Sequence, residues 1–159
     1  MPEHIFQLRL TEVEEQAFAY NAAVMADGQG SITSEVQADM GYATESDLFS
    51  VMVRVRFFFL AAGSEGAQPD DMGTEVAHLT AQLTFHVPDA ARFLVPTDQP
   101  NHLRLLPQVA ATLIGTAYST TRGMVFSRFA HTPLRKSPLG HIDPAVVVAA
   151  LPPFRIAEN

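Results

Sequence analysis

From Val51 the side chains alternate: Val51, Val53, Val55, Phe57 and Phe59 share one face, Arg54 and Arg56 the other. That is the period of a half-buried strand. Past Arg56 the polar face turns apolar too, with Phe58 and Leu60. Upstream, Ile32, Ser34, Val36, Ala38, Met40 and Tyr42 lie opposite Thr33, Glu35, Gln37 and Asp39, and the polar connector ATESD leads into the strand from Leu48 to Ala62. The pair predicts a long hairpin. Downstream, Leu79, Ala81, Leu83, Phe85 and Val87 alternate with His78, Thr80, Gln82, Thr84 and His86. Val76 is out of register with them, which puts the start of that strand near Ala77.

A first strand runs through Phe6, Leu8 and Leu10, is interrupted by Glu12, Glu14 and Glu15, and resumes from Ala17 to Tyr20. A bulge is expected at the interruption. ADGQG reads as a turn and GSEGAQPDDMG as a flexible loop. Four sequential strands on short connections favour an antiparallel meander.

After Val87 the period changes. PDAARFL starts a single helical turn at Pro88, and VPTDQPN reads as loop. Pro107 suits the first position of a long helix, where its missing N–H costs nothing. Leu106, Ala110, Leu113, Ala117, Tyr118, Thr121, Met124, Val125 and Phe129 form its apolar side, opposite Thr112, Thr116, Ser119, Thr120 and Arg122. Gly115 and Gly123 weaken it and permit close approach of another element. Pro133 ends the run, PAVVVAAL from Pro144 forms a short terminal helix or strand, and PPFRIAEN is a tail. The expected architecture is α+β in a single domain over 1–159: an antiparallel sheet over 1–87, a crossover loop and long helix over 88–133, and a Pro-rich segment, short helix and tail over 134–159. One long helix cannot cover both the sheet and its own second apolar side, so self-association is expected.

Composition sharpens that expectation. Hydrophobic residues make up 47% and charged residues 17%, against roughly 25% charged in an average domain. A surface short of charge is a sticky one. The net charge of −7 argues against a nucleic-acid partner. With no cysteine there is no disulfide, zinc–thiolate or thiol chemistry. The start, MPEHIFQLRLTEVEE, has no signal-peptide pattern, and no stretch approaches the roughly 18 apolar residues of a membrane span. A cytoplasmic protein is expected.

Candidate chemistry is sparse. His78 and His86 share a strand face but stand roughly 26 Å apart at the strand rise. His4, His102, His131 and His141 lack ligand spacing. No G-x-S-x-G elbow occurs, and STTRG has neither the glycine spacing nor the lysine of a phosphate loop. The acids Glu12, Glu14 and Glu15 read as a solvated strand edge. Neither a metal, a cofactor nor catalysis is called for. What remains is apolar surface. Phe57 and Phe59 read as core, while Phe58 and Leu60 suit either a subunit interface or a ligand groove. The candidate polypeptide-binding residues are Phe58, Leu60, Phe126, Phe129, Leu134 and Leu139.

The order of parts resembles the SecB family of protein-export chaperones. FQLRLTEVEEQAF (Phe6 to Phe18) is similar to that family's opening strand, SPLGHIDPAVVVAAL (Ser137 to Leu151) looks like its closing proline, Asp and helix, and the Arg-Gly of STTRGMV resembles helix features of divergent branches. The resemblance spans nearly the whole chain. It implies an ATP-independent holdase, a homo-dimer or homo-tetramer that keeps unfolded precursor polypeptides soluble in hydrophobic grooves. It further implies docking of a SecA-type translocase motor on an acidic sheet face. Glu15 falls on one docking acid, whereas Ala19 and Ala81 stand where two others are expected. The runner-up is an assembly subunit that binds one folded partner. Third comes an enzyme or small-molecule binder, which requires a closed cavity with convergent polar groups.

Overall fold

A computed structural model describes residues 6–26, 28–63, 72–137 and 139–155. His4, Asp27 of the ADGQG turn, most of the GSEGAQPDDMG loop, Pro138 and the last four residues of the tail lie outside the described residues. Four long strands, β1 (Arg9–Tyr20), β2 (Gly30–Ala43), β3 (Leu48–Ala61) and β4 (Thr74–His86), form one antiparallel sheet. The long helix α1 (Pro107–Phe129) and the short helix α2 (Pro144–Ala150) complete the expected α+β architecture.

The strand order is β1-β4-β3-β2. The meander therefore covers β2 to β4, and β1 lies beside β4 instead of beside β2. After β1 the chain crosses to the far edge through a short 3-10 turn, Ala22–Met25, capped by Asn21, whose side chain accepts from the Ala23 N–H at 3.1 Å.

The hairpin of β2 and β3 runs in unbroken register from Gly30↔Ala61 to Ala43↔Leu48. β1 slips against β4 between Leu10 and Glu12 and again between Glu15 and Ala17, so two irregularities bracket the acidic run where one was expected. β4 begins at Thr74, earlier than the periodicity placed it. Phe57 pairs with Ala77 but Phe58 with Glu75, leaving Val76 as an extra residue. That bulge lets Val76 and Ala77 both be buried, at 2% exposure each.

Phe49, Val51, Val53, Val55 and Phe57 of β3, with Leu79, Ala81, Leu83 and Phe85 of β4, form the floor of the core. α1 packs over β3 and β4. It buries Val109, Ala110, Leu113, Ile114, Ala117, Tyr118, Thr121, Val125 and Phe129; of the predicted side Leu106 and Met124 are only half-buried, and Val109 and Ile114 are added to it. Its threonines are satisfied by back-bonding: the hydroxyls of Thr112, Thr116, Thr120 and Thr121 donate to carbonyls four residues earlier, at 2.8 to 3.0 Å. α2 starts where the sequence put it, with Pro144 at its first turn and Asp143 accepting from the Ala145 N–H at 2.9 Å. A Cβ on Gly115 would lie 3.6 Å from the Pro144 ring, so Gly115 is where α2 approaches α1; a Cβ on Gly123 would meet nothing within 4 Å.

Two segments read as loop and tail are short strands instead. Leu94–Pro96 (β5), His102–Leu105 (β6) and Phe154–Arg155 (β7) make a second sheet in the order β5-β6-β7.

Candidate functional site

The predicted residues do not converge. Phe129 is 1% exposed, with its ring among Phe18, Tyr20 and Phe57 at 5.4 to 6.1 Å between centroids. Leu134 and Leu139 are buried in the same core. Phe126 is 45% exposed, on the outer side of α1, with the Arg122 guanidinium 5.5 Å from its ring centre. Phe58 and Leu60 do lie on the sheet face away from the helices, beside Arg54 and Arg56. That stretch is not an open platform. Phe58 is 8% exposed and outside the core cluster, with the Arg56 guanidinium 5.3 Å from its ring centre; Leu60 is half-buried.

Arg56 is itself held from both sides. It donates to the Glu35 carboxylate on β2, and its other terminal nitrogen lies 3.8 Å from Glu75 on β4. The Glu75 carboxylate is also 2.7 Å from Nδ1 of His78. The greasy end of the strand is thus closed by charged neighbours whose stems and planes cover the ring.

Glu15 belongs to the helix side of the sheet. Both its carboxylate oxygens accept from Arg128 near the end of α1, at 2.7 and 2.8 Å. The hydrogen bonds to Glu15, and after them its negative charge, raise the Arg128 pKa above its ordinary value. Glu15 is an anchor between β1 and α1. Glu12 and Glu14 pair with Thr84 and Gln82 on the opposite face. Among the described residues no group of three or more His, Asp or Glu side chains is placed to hold a metal ion, and no helix is long and apolar enough to cross a membrane.

The concave feature that stands out is at the edge of β2. A groove of about 690 Å³ is lined by Val36, Gln37, Ala38 and Asp39 of β2, by Met52 and Arg54 of β3, and by Val146, Val147, Ala150, Leu151 and Pro152 in and after α2. Successive strand residues point to opposite faces. Four consecutive ones can line a single space only if that space wraps around the edge and faces the backbone. α2 supplies an apolar wall on one side, with Val146 67% exposed; Met52 and Arg54 lie on the other.

The groove continues toward a smaller recess of about 20 Å³ formed by Met40, Arg104, Leu105, Ala110, Val148, Leu151, Pro152 and Phe154. Beyond it the Tyr42 ring stacks on Phe49 at 4.6 Å, and Phe154 stands 6.0 Å from each. Burial first, then the nearby Asp47 carboxylate, push the Tyr42 phenol above its ordinary pKa. Tyr118 behaves similarly through burial; its hydroxyl donates to the Gly140 carbonyl and ties α1 to the segment entering α2.

Sequence periodicity missed this site because being an edge is not a local property. One signal was present: PAVVVAAL carries three adjacent valines, more than one buried stripe of a seven-residue helix can hide. Neither a family model nor a curated protein matches the sequence.

Proposed function

We propose that this protein is a SecB-like, ATP-independent holdase that binds extended segments of non-native polypeptides along the free edge of β2. One observation carries the reading: an unbulged edge strand of 14 residues beside an open, largely apolar groove. An edge strand offers unpaired N–H and C=O groups to any added strand, without regard to sequence. The guest's alternate side chains then rest on Val146, Val147 and Leu151 on one face and on Met52 and Arg54 on the other. Apolar burial contributes about 25 cal/mol per Å², so a short segment gains useful but reversible affinity.

A second copy completes the particle. On the opposite edge Leu10, Val13 and Phe18 of β1 and Phe126 of α1 are 37 to 45% exposed. They flank a hollow of about 500 Å³ lined by Val13, Glu15, Gly123, Met124, Ser127 and Arg128. This apolar face supports a homo-dimer or homo-tetramer built on the β1 side, leaving the β2 groove free. Docking of a SecA-type motor through Glu15 has no such support, since that carboxylate is engaged by Arg128. The working place of such a holdase is the cytoplasm.

The test is suppression of aggregation of two unrelated denatured proteins at near-stoichiometric ratio, without nucleotide. Protection of both is expected, and Val146→Asp, a change at an exposed position, is expected to remove most of it at unchanged melting temperature. Indifference to both clients would sink the holdase and leave the single-partner assembly subunit. Full protection by Val146→Asp would move the site away from the groove.

A further inference from the structure

The open groove is one half of a longer apolar row. Along β2 the side chains facing the helices are Val36, Ala38, Met40 and Tyr42, each opposite a core residue of β3. Val36 and Ala38 line open space. Met40 is 9% exposed, and the Tyr42 ring stacks under cover. The covering element is the chain's own segment after α2. Leu151 and Pro152 line both the groove and the small recess, so they form the partition between them. Phe154 closes the far end against Tyr42 and Phe49.

This cover is lightly held. Among the described residues its strand β7 has two, paired with His102 and Leu103 of β6. Pro152 and Pro153 have no N–H to donate. Phe154 is half-buried, with nothing of the near-zero exposure of Phe49 beneath it. A segment with so few bonds belongs to the part of a fold that opens first.

We propose that Leu151–Arg155 is an internal competitor for the polypeptide site: it occupies the far half of the β2 row and is displaced when a guest strand extends past Ala38. The inference rests on the groove being a polypeptide site, and it adds a regulator to it. Displacement frees Met40 and presents the Tyr42–Phe49 stack as a seat for a guest aromatic ring. Short guests bind in the open half with the cover in place, and longer or aromatic ones compete it away.

The chain has no cysteine, so the cover can be locked with one engineered bridge. His102 and Arg155 are directly paired across β6 and β7, a spacing compatible with a disulfide. The His102→Cys/Arg155→Cys full chain is titrated, oxidised and reduced, against a fluorescent, permanently unfolded carboxymethylated protein. The oxidised form is expected to bind about threefold or more weakly, the factor by which a closed cover lowers the competent fraction. Phe154→Ser, which loosens the cover without a lock, is expected to bind more tightly than wild type. Equal affinity of oxidised and reduced forms overturns the cover while leaving the groove. Failure of every form to bind, wild type included, removes the groove and the cover together.

Discussion

β1 slips register twice in 12 residues, whereas β2 holds its 14 consecutive pairs with β3 without a slip. The two are the outer strands of one sheet, and they handle exposure differently. β1 carries Glu12, Glu14 and Glu15, is kinked on either side of them, and is fastened to α1 by the Glu15–Arg128 pair and by Phe18 against Phe129. Bulges and charges blunt an edge against indiscriminate pairing. β2 has no bulge along its groove, and the one charge it places there, Asp39, accepts from the neighbouring Met40 N–H at 2.8 Å. A straight, uninterrupted edge with an apolar wall next to it is a template, and a bulged, tethered edge suits a defined contact. α1 makes the asymmetry: its first turns reach the recess beside Met40, and its last turn reaches β1. α2 then covers the β2 side incompletely.

The contrast is broken most severely at Phe129. Removing this ring with Phe129→Ala takes away the partner of Phe18, Tyr20 and Phe57 and is expected to cost about 3–5 kcal/mol in denaturant unfolding. Amide exchange in β1 is expected to quicken before that in β2. Equal quickening of both edges would show that α1 does not fasten β1 selectively.

Gly30→Ala attacks the other edge. A Cβ there would press into the Leu60 carbonyl oxygen and the Phe59 ring, where β2 begins. Overpacking of this kind costs about 1–3 kcal/mol, and loss of protection is expected in β2 with β1 unaffected. A variant as stable as wild type would mean that the start of β2 yields freely.

Tyr118→Phe sharpens the comparison by loosening the segment that carries α2. Losing the hydrogen bond to Gly140 is expected to cost about 1 kcal/mol. Because burial raises the folded-state pKa of Tyr118, its protonated form is the one the fold favours. The wild type's advantage over the variant is therefore whole below the unfolded phenol pKa of about 10 and is lost as pH rises through the folded value. An advantage that grows in alkali would contradict the burial argument.

The smallest effect belongs to Glu15→Gln. The wild-type melting point should fall slightly with added salt, as screening weakens the Glu15–Arg128 pair, and the variant's should not. Identical salt responses would mean that the ion pair contributes nothing to holding β1.

Much of the fold is legible in the chain. Alternation places the long strands, Pro107 and Pro144 open the two helices, and the acidic run marks the irregular part of β1. β5 and β7 escape notice because strands of three and two residues have no period to read. Phe58 is legible as an apolar residue on a polar face, but its covering is not. It depends on Arg56 being pulled across by Glu35 and Glu75, which lie 21 and 19 positions away in sequence. The groove escapes for a related reason: Val36 to Asp39 read as any half-buried strand does.

The amino-acid order alone determined which side chains share a face and where helices start, because pleat, helical period and proline's missing donor act within a few residues. Which strand became an edge, which rings were roofed and which segment lies against the β2 row were decided only by the assembled sheet and helices. Those outcomes depend on neighbours brought together from distant parts of the chain, and no local period records them.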